Sequence, residues 1–202
     1  MFKKKRIALT FDDGYKYTVP ILEKLEKHHV KATFFICGDW MERNAEGYKK
    51  IFDGKHEIAN HSYSHIHMDK LSDEEVLTEI DRVQQLSRKL VGKEGRWFRF
   101  PYGKRDERLC RLVHKKKMRS VGWTIDTRDW ENISAEEILR NVMENVKDGD
   151  IVLMHTLGEH TVEALDLLIP ALKESGYKMV KLSELINNMI LYFGLRRRKI
   201  II

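Results

Sequence analysis

Strand-like apolar runs and amphipathic helical stretches alternate about seven times along this chain with short links between them, and that rhythm leaves few architectures open. The strands are read at Ile7-Ala8-Leu9, Ala32-Thr33-Phe34-Phe35-Ile36, Glu57-Ile58-Ala59, Trp97-Phe98-Arg99-Phe100, Ser120-Val121-Gly122-Trp123-Thr124-Ile125, Asp150-Ile151-Val152-Leu153-Met154 and, weakly, Lys178-Met179-Val180. Helices are expected over Val19 to His28, around Ala45 to Phe52, after Ser72, over Glu107 to Lys117, after Ser134, over Thr161 to Ser175, and from Ser183 to Tyr192. Ser72 and Ser134 each precede an acidic first turn, the pattern of a capped helix start. Val76, Ile80, Val83, Leu86 and Leu90 then form one apolar stripe. Alternation of this kind calls for parallel strands joined by crossover helices. The expected fold is therefore α/β: a distorted, incomplete (β/α) barrel of about seven parallel strands, TIM-barrel-like but short of eight units. A doubly wound open sheet is the alternative, and no Gly-x-Gly-x-x-Gly follows the first strand to support a dinucleotide site. No linker or repeat divides the 202 residues, so residues 1–202 read as a single domain.

In a parallel barrel, functional groups gather where strands end. The first strand runs into Thr10-Phe11-Asp12-Asp13-Gly14, two adjacent carboxylates that need not share a role, because neighbours on an extended chain point apart. One can bind a metal while the other takes a proton. The third strand ends at Asn60-His61-Ser62-Tyr63-Ser64-His65, the fourth carries Arg99 and ends at Pro101-Tyr102-Gly103, the fifth ends at Asp126-Thr127-Arg128-Asp129-Trp130, and the sixth at His155. His61 and His65 stand four apart, which on a helical turn puts both imidazoles on one face. Two histidines and a carboxylate make a three-ligand set with a position left for water, as in catalytic zinc sites. His67 leaves the choice of pair open at this point.

Charge excludes less than it includes. The net charge is +6, but acidic residues are plentiful, and the basic runs His114-Lys115-Lys116-Lys117 and Arg196-Arg197-Arg198-Lys199 read as solvated helix face and tail, not as a nucleic-acid site. Cys37 and Cys110 are far apart with no metal spacing, so no disulfide framework is indicated. Met1 to Arg6 is basic like a signal n-region, but no apolar h-region follows. The chain thus reads as leaderless, hence cytoplasmic, or as the trimmed mature form of an exported protein. No stretch is long and apolar enough for a transmembrane segment. Trp40, Trp97 and Trp123 read as packing, and Asp126 as a residue that holds its loop.

Five short motifs stand in order: Thr10 to Gly14, His61 to His65, Arg99 to Tyr102, Asp126 to Trp130, and Leu153 to His155. Together they resemble the polysaccharide deacetylases of carbohydrate esterase family 4, the NodB-type domain. The resemblance implies that Asp13, His61 and His65 bind a divalent metal, zinc first, with cobalt or nickel as alternatives. It makes Asp12 the general base, oriented by Arg99, and His155 the general acid, held charged by Asp129. The backbone N–H of Tyr102 would help to hold the oxyanion, and Trp130 and Leu153 would line the pocket for the acetyl methyl. The implied activity is removal of N-acetyl groups from amino-sugar polymers or oligomers, peptidoglycan or chitin-type N-acetylglucosamine. The alternatives are an O-acetyl esterase on acetylated xylan and a catalytically inactive carbohydrate-binding domain. The implied partner is an N-acetylated polysaccharide and not nucleic acid; the oligomeric state is not implied.

Overall fold

The structure, a computed structural model, describes residues 5–193. Met1 to Lys4 of the basic start, the run Arg196 to Lys199 and the apolar tail Ile200 to Ile202 lie outside the described residues. In chain order the elements are β1 (Lys5–Asp13), α1 (Thr18–Lys27), β2 (Thr33–Ile36), α2 (Gly38–Arg43), α3 (Ala45–Asp53), β3 (Glu57–Asn60), α4 (Asp73–Val91), β4 (Trp97–Phe98), α5 (Glu107–Lys115), β5 (Arg119–Ser120), β6 (Ile125–Asp126), α6 (Ala135–Met143), β7 (Ile151–His155), α7 (Thr161–Glu174), β8 (Tyr177–Met179) and α8 (Leu182–Phe193).

Every strand pair recorded among these residues is parallel. The strands follow the order β5-β4-β3-β2-β1-β7-β6, and β8 pairs with β1 off this path. The long β1 carries both: Ala8 to Asp12 run beside Ile151 to His155 of β7, and Lys5 to Ile7 beside Tyr177 to Met179 of β8. The sheet curls into the incomplete barrel that the alternation predicts. Its break lies between β5 and β6.

The expected fifth strand, Ser120 to Ile125, is in fact two strands. Val121 N–H donates to Phe98 O at 2.9 Å, whereas Thr124 N–H donates to Ile151 O at 2.9 Å. The chain leaves β4 and joins β7 within four residues, so it cannot stay one ladder. The short α2 was not expected either, since six residues carry too little periodicity to show.

Period-two alternation sorts the core into layers. On β1, Ile7, Leu9 and Phe11 face outward, joining Phe34, Ile36, Val152 and Met154 beneath helix residues such as Leu25, Ile51, Ile138 and Leu168. Ala8 faces inward with Phe35, Ala59, Trp97, Val121 and Ile151, and Leu182, Leu185 and Ile186 of α8 close the floor. Glu57 ties that floor together, accepting from Thr33 Oγ1 at 3.0 Å, Trp97 Nε1 at 3.2 Å and Ser183 N–H at 3.0 Å. The mouth at the C-terminal ends of the strands stays uncovered and collects the polar side chains. Ser72 and Ser134 form capping boxes with Glu75 and Glu137, as their sequences predict. Among the described residues no helix is long and apolar enough to cross a membrane.

Candidate active site

Thr10 and Asp12 extend the inward face of β1. The next residue, Asp13, should point the other way, but its φ of 85° breaks the alternation. Its carboxylate therefore reaches the same mouth, with Oδ1 3.5 Å from His61 Nε2 and 3.3 Å from His65 Nε2. His61 continues the inward series of Glu57 and Ala59 from β3. Its Nδ1 is 2.8 Å from Arg99 O, which fixes the ring and presents Nε2 to the carboxylates.

The histidine spacing works, but not through the expected helical turn. Ser62 and His65 both adopt left-handed φ, 66° and 52°. The resulting loop is stitched by Ser62 N–H to Asn60 Oδ1 at 2.9 Å and His65 N–H to Ser62 Oγ at 3.1 Å. The imidazole centroids end 5.0 Å apart. His67, the third candidate, stacks on the Tyr102 ring at 4.1 Å instead.

Asp13, His61 and His65 offer one ligand atom each within 4.8 Å of one another. Asp13 Oδ1 is buried with no hydrogen-bond partner, an arrangement that costs free energy unless something positive sits against it. A tetrahedral centre with bonds of ~2.0–2.1 Å spaces its ligand atoms about 3.3 Å apart, close to the two separations between Asp13 Oδ1 and the imidazoles. The residues fit a small divalent cation. Burial works against the Asp13 anion, but His61, with His155 and His65, pulls its pKa below the ordinary value. The two imidazoles diverge: against burial, Asp12 and Asp13 raise His61, while burial and the neighbouring His61 lower His65.

Arg99 is 1% exposed just past β4. It donates from Nη1 to Asp12 Oδ1 at 2.7 Å and Thr10 Oγ1 at 2.9 Å, and from Nη2 to Gly122 O at 2.9 Å. Its guanidinium lies 4.1 Å from the Phe35 ring centroid. Asp12 is thus gripped from one side, and its other oxygen is 3.7 Å from His61 Nε2.

Asp12 pairs in register with His155 of β7. His155 Nδ1 is 2.8 Å from Asp129 Oδ1, and Asp129 Oδ2 accepts from His155 N–H and Thr161 Oγ1, both at 2.7 Å. Burial opposes an imidazolium at His155, but the Asp129 bond and charge, with Asp12 and Asp13 behind, outweigh it and raise the pKa to about 9.

Tyr102 sits in the turn Pro101–Gly103 at φ 58°. That turn uses the N–H groups of Gly103 and Lys104, and among the described residues no acceptor is recorded for that of Tyr102. The ring is exposed, and its hydroxyl donates to His65 O at 3.2 Å. Trp130 follows Asp129 and is 52% exposed, whereas Leu153 is buried on β7 two residues before His155. Trp130 opens on a surface pocket shared with Tyr17, Asp129 and Leu157; Leu153 is not among its lining residues. Asp126 Oδ1 accepts from Arg128 N–H at 2.9 Å, the loop-holding part expected of it.

Thr10, Asn60, Glu79, Thr156 and Thr161 also serve the mouth, although the sequence assigns them no role there. Thr156 Oγ1 donates to Asp12 O at 3.0 Å and accepts from Gly14 N–H at 2.8 Å, locking the end of β1 to β7. Thr10 was detectable by alternation from Asp12. Glu79 was detectable as a charge set into the apolar stripe of α4.

The polysaccharide deacetylase family model matches residues 1–121. A peptidoglycan-N-acetylglucosamine deacetylase of Bacillus cereus is 37% identical over 187 residues, 90% of this chain and 68% of the relative. The crystal structure of a peptidoglycan N-acetylglucosamine deacetylase superposes with a TM-score of 0.87 at 35% identity, covering 92% of this chain and 89% of that one. A CE4 family pseudoenzyme from Bacillus anthracis superposes with the same TM-score of 0.87 at 36% identity, covering 91% of this chain and 66% of its own. Fold alone therefore does not separate active from inactive members; the side chains at the mouth must.

Proposed function

The chain belongs to the polysaccharide deacetylase family, and from that membership we propose that it hydrolyses N-acetyl groups from N-acetylglucosamine units of peptidoglycan, with residues 1–202 acting as one catalytic domain. The observation that carries this reading is the convergence of three sets at one mouth: Asp13–His61–His65, Asp12 gripped by Arg99, and His155 charged by Asp129.

Asp13, His61 and His65 would hold a divalent metal, zinc in first place and cobalt or nickel behind it. When bound, such an ion supplies Lewis acidity that acidifies water and polarises a carbonyl oxygen. Asp12 takes the proton of the attacking water, and Arg99 keeps the receiving carboxylate aimed. Water adds to the acetyl carbon, and the carbonyl oxygen gains charge that the Tyr102 N–H stabilises. His155 then donates its Nε2 proton to the sugar nitrogen as the C–N bond breaks, giving acetate and a free amine. Trp130 and Leu153 flank the acetyl methyl.

Acetate release settles the matter. The metal-free protein is tested on peptidoglycan, N-acetylglucosamine oligomers and acetylated xylan, before and after adding zinc, cobalt or nickel. Metal-restored release from peptidoglycan is the expected result. Release from xylan alone would replace the amide reading with an esterase. Glycan binding without release under any metal would put the chain with the inactive members.

A further inference from the structure

We propose that Glu79 is a positioning residue for the metal-binding histidines: from α4 its side chain holds the segment between His61 and His65 in the shape that turns both imidazoles toward Asp13. The inference rests on reading Asp13, His61 and His65 as metal ligands.

Glu79 lies between Val76 and Ile80 on the buried face of α4 and is itself only 9% exposed. A glutamate at such a place must find partners. All its recorded partners come from the histidine loop. Oε2 accepts from Tyr63 N–H at 2.9 Å and Ser64 N–H at 2.8 Å, and Oε1 accepts from Ser64 Oγ at 2.8 Å. Both oxygens serve as charged acceptors; an amide could keep the two N–H bonds on its carbonyl and turn its NH2 to the Ser64 hydroxyl, but charge-assisted bonds are roughly twice as strong as the neutral ones that would replace them.

The loop has reason to need a clamp. Ser62 and His65 both hold left-handed φ, which side chains resist. The carbonyls of the same segment are held from the opposite side, Ser62 O by Gly38 N–H at 3.1 Å and Tyr63 O by Asp39 N–H at 2.9 Å. The segment is thereby pinned between the α4 carboxylate and the first turn of α2. Asn60 joins α4 as well, donating from Nδ2 to Ile80 O at 3.1 Å while its Oδ1 receives Ser62 N–H. Helix α4 is the template on which the ligand loop is shaped.

The test is zinc affinity, read by competition with a chelator on metal-free wild type, Glu79→Gln, Glu79→Asp and Ser64→Ala. Urea midpoints of the metal-free proteins and kcat and KM at saturating zinc accompany it. Glu79→Gln is expected to weaken zinc about tenfold or more, the usual size of an outer-shell loss. KM should hold, excess zinc should restore most of kcat, and Glu79→Asp should recover part of the affinity. Ser64→Ala removes one neutral donor at an exposed position and should weaken zinc roughly threefold, the low end of what one hydrogen bond contributes. If Glu79→Gln fails to fold, Ser64→Ala decides alone. A lower urea midpoint with unchanged zinc affinity would make Glu79 merely structural and overturn the inference. Wild type that takes up no divalent ion would overturn the metal reading, and this inference with it.

Discussion

Asp12 and Asp13 are neighbours in sequence with different surroundings. Asp12 spends one oxygen on Arg99, whereas Asp13 keeps a buried oxygen without a partner between two imidazoles. Asp12→Asn should therefore retain zinc and lose turnover by about 10²-fold or more, the usual worth of a positioned base. Asp13→Asn should lose the zinc itself. Metal content and acetate release measured on both variants check the assignment, and loss of metal from Asp12→Asn would mean the two roles are exchanged. His155 carries its own signature. With its pKa raised to about 9, its imidazole stays protonated well past neutrality, and if it is the proton donor proposed above, the alkaline limb of kcat should fall near pH 9. Asp129→Asn removes the raising partner and should bring that limb down toward the ordinary 6.5. The residues of the five motifs were legible because their order along the chain is itself a signal. Glu79 was not, because a lone glutamate on a helix reads as solvated unless the stripe around it is weighed.

Elements with local signals matched their expectation closely. Helix α4 has its Ser72 box, its apolar stripe and a left-handed Gly92 at its end, all of them features of consecutive residues. Where the cause is distant, the local sequence carries no signal of it. Nothing between Ser120 and Ile125 tells that the two ends of the segment pair with different strands. Nor does His-x-x-x-His distinguish a helical turn from the left-handed loop that forms, since the difference is made by Asn60, Glu79 and the start of α2. The capping box of α6 offers a check that separates stability from chemistry. Ser134→Ala removes the acceptor for Glu137 N–H and should lower unfolding free energy by about 1 kcal/mol. Because α6 packs on the outside of the barrel, kcat should not move; urea titration and acetate release on one preparation test both halves.

The molecule as a whole should be most stable near pH 6.5, for two opposed reasons. His56 is buried, takes Ala32 N–H on Nδ1 at 3.2 Å, and has its pKa lowered by burial to about 4. Between about 6.5 and 4 the unfolded chain binds a proton there that the folded chain refuses, so stability falls as pH drops through that window. His155 is the reverse case. Its raised pKa contributes stability that is complete below 6.5 and is lost as pH rises through about 9. Each shift corresponds to something on the order of 3 kcal/mol. Urea midpoints of metal-free protein across this range should trace a bell; His56→Gln should flatten its acid side and His155→Gln its alkaline side.

The pairing of β1 with both β7 and β8 also sets a timetable. Lys5 to Asp12 find their neighbours around Ile151 to His155 and Tyr177 to Met179, so β1 waits for strands that leave the ribosome long after it. Contacts of such separation close slowly, and until β7 and β8 have emerged β1 keeps one unpaired edge, the condition under which nascent chains associate wrongly. The same delay keeps Asp12 from meeting His155 until β7 has been made. Assembly of the mouth therefore waits for β7.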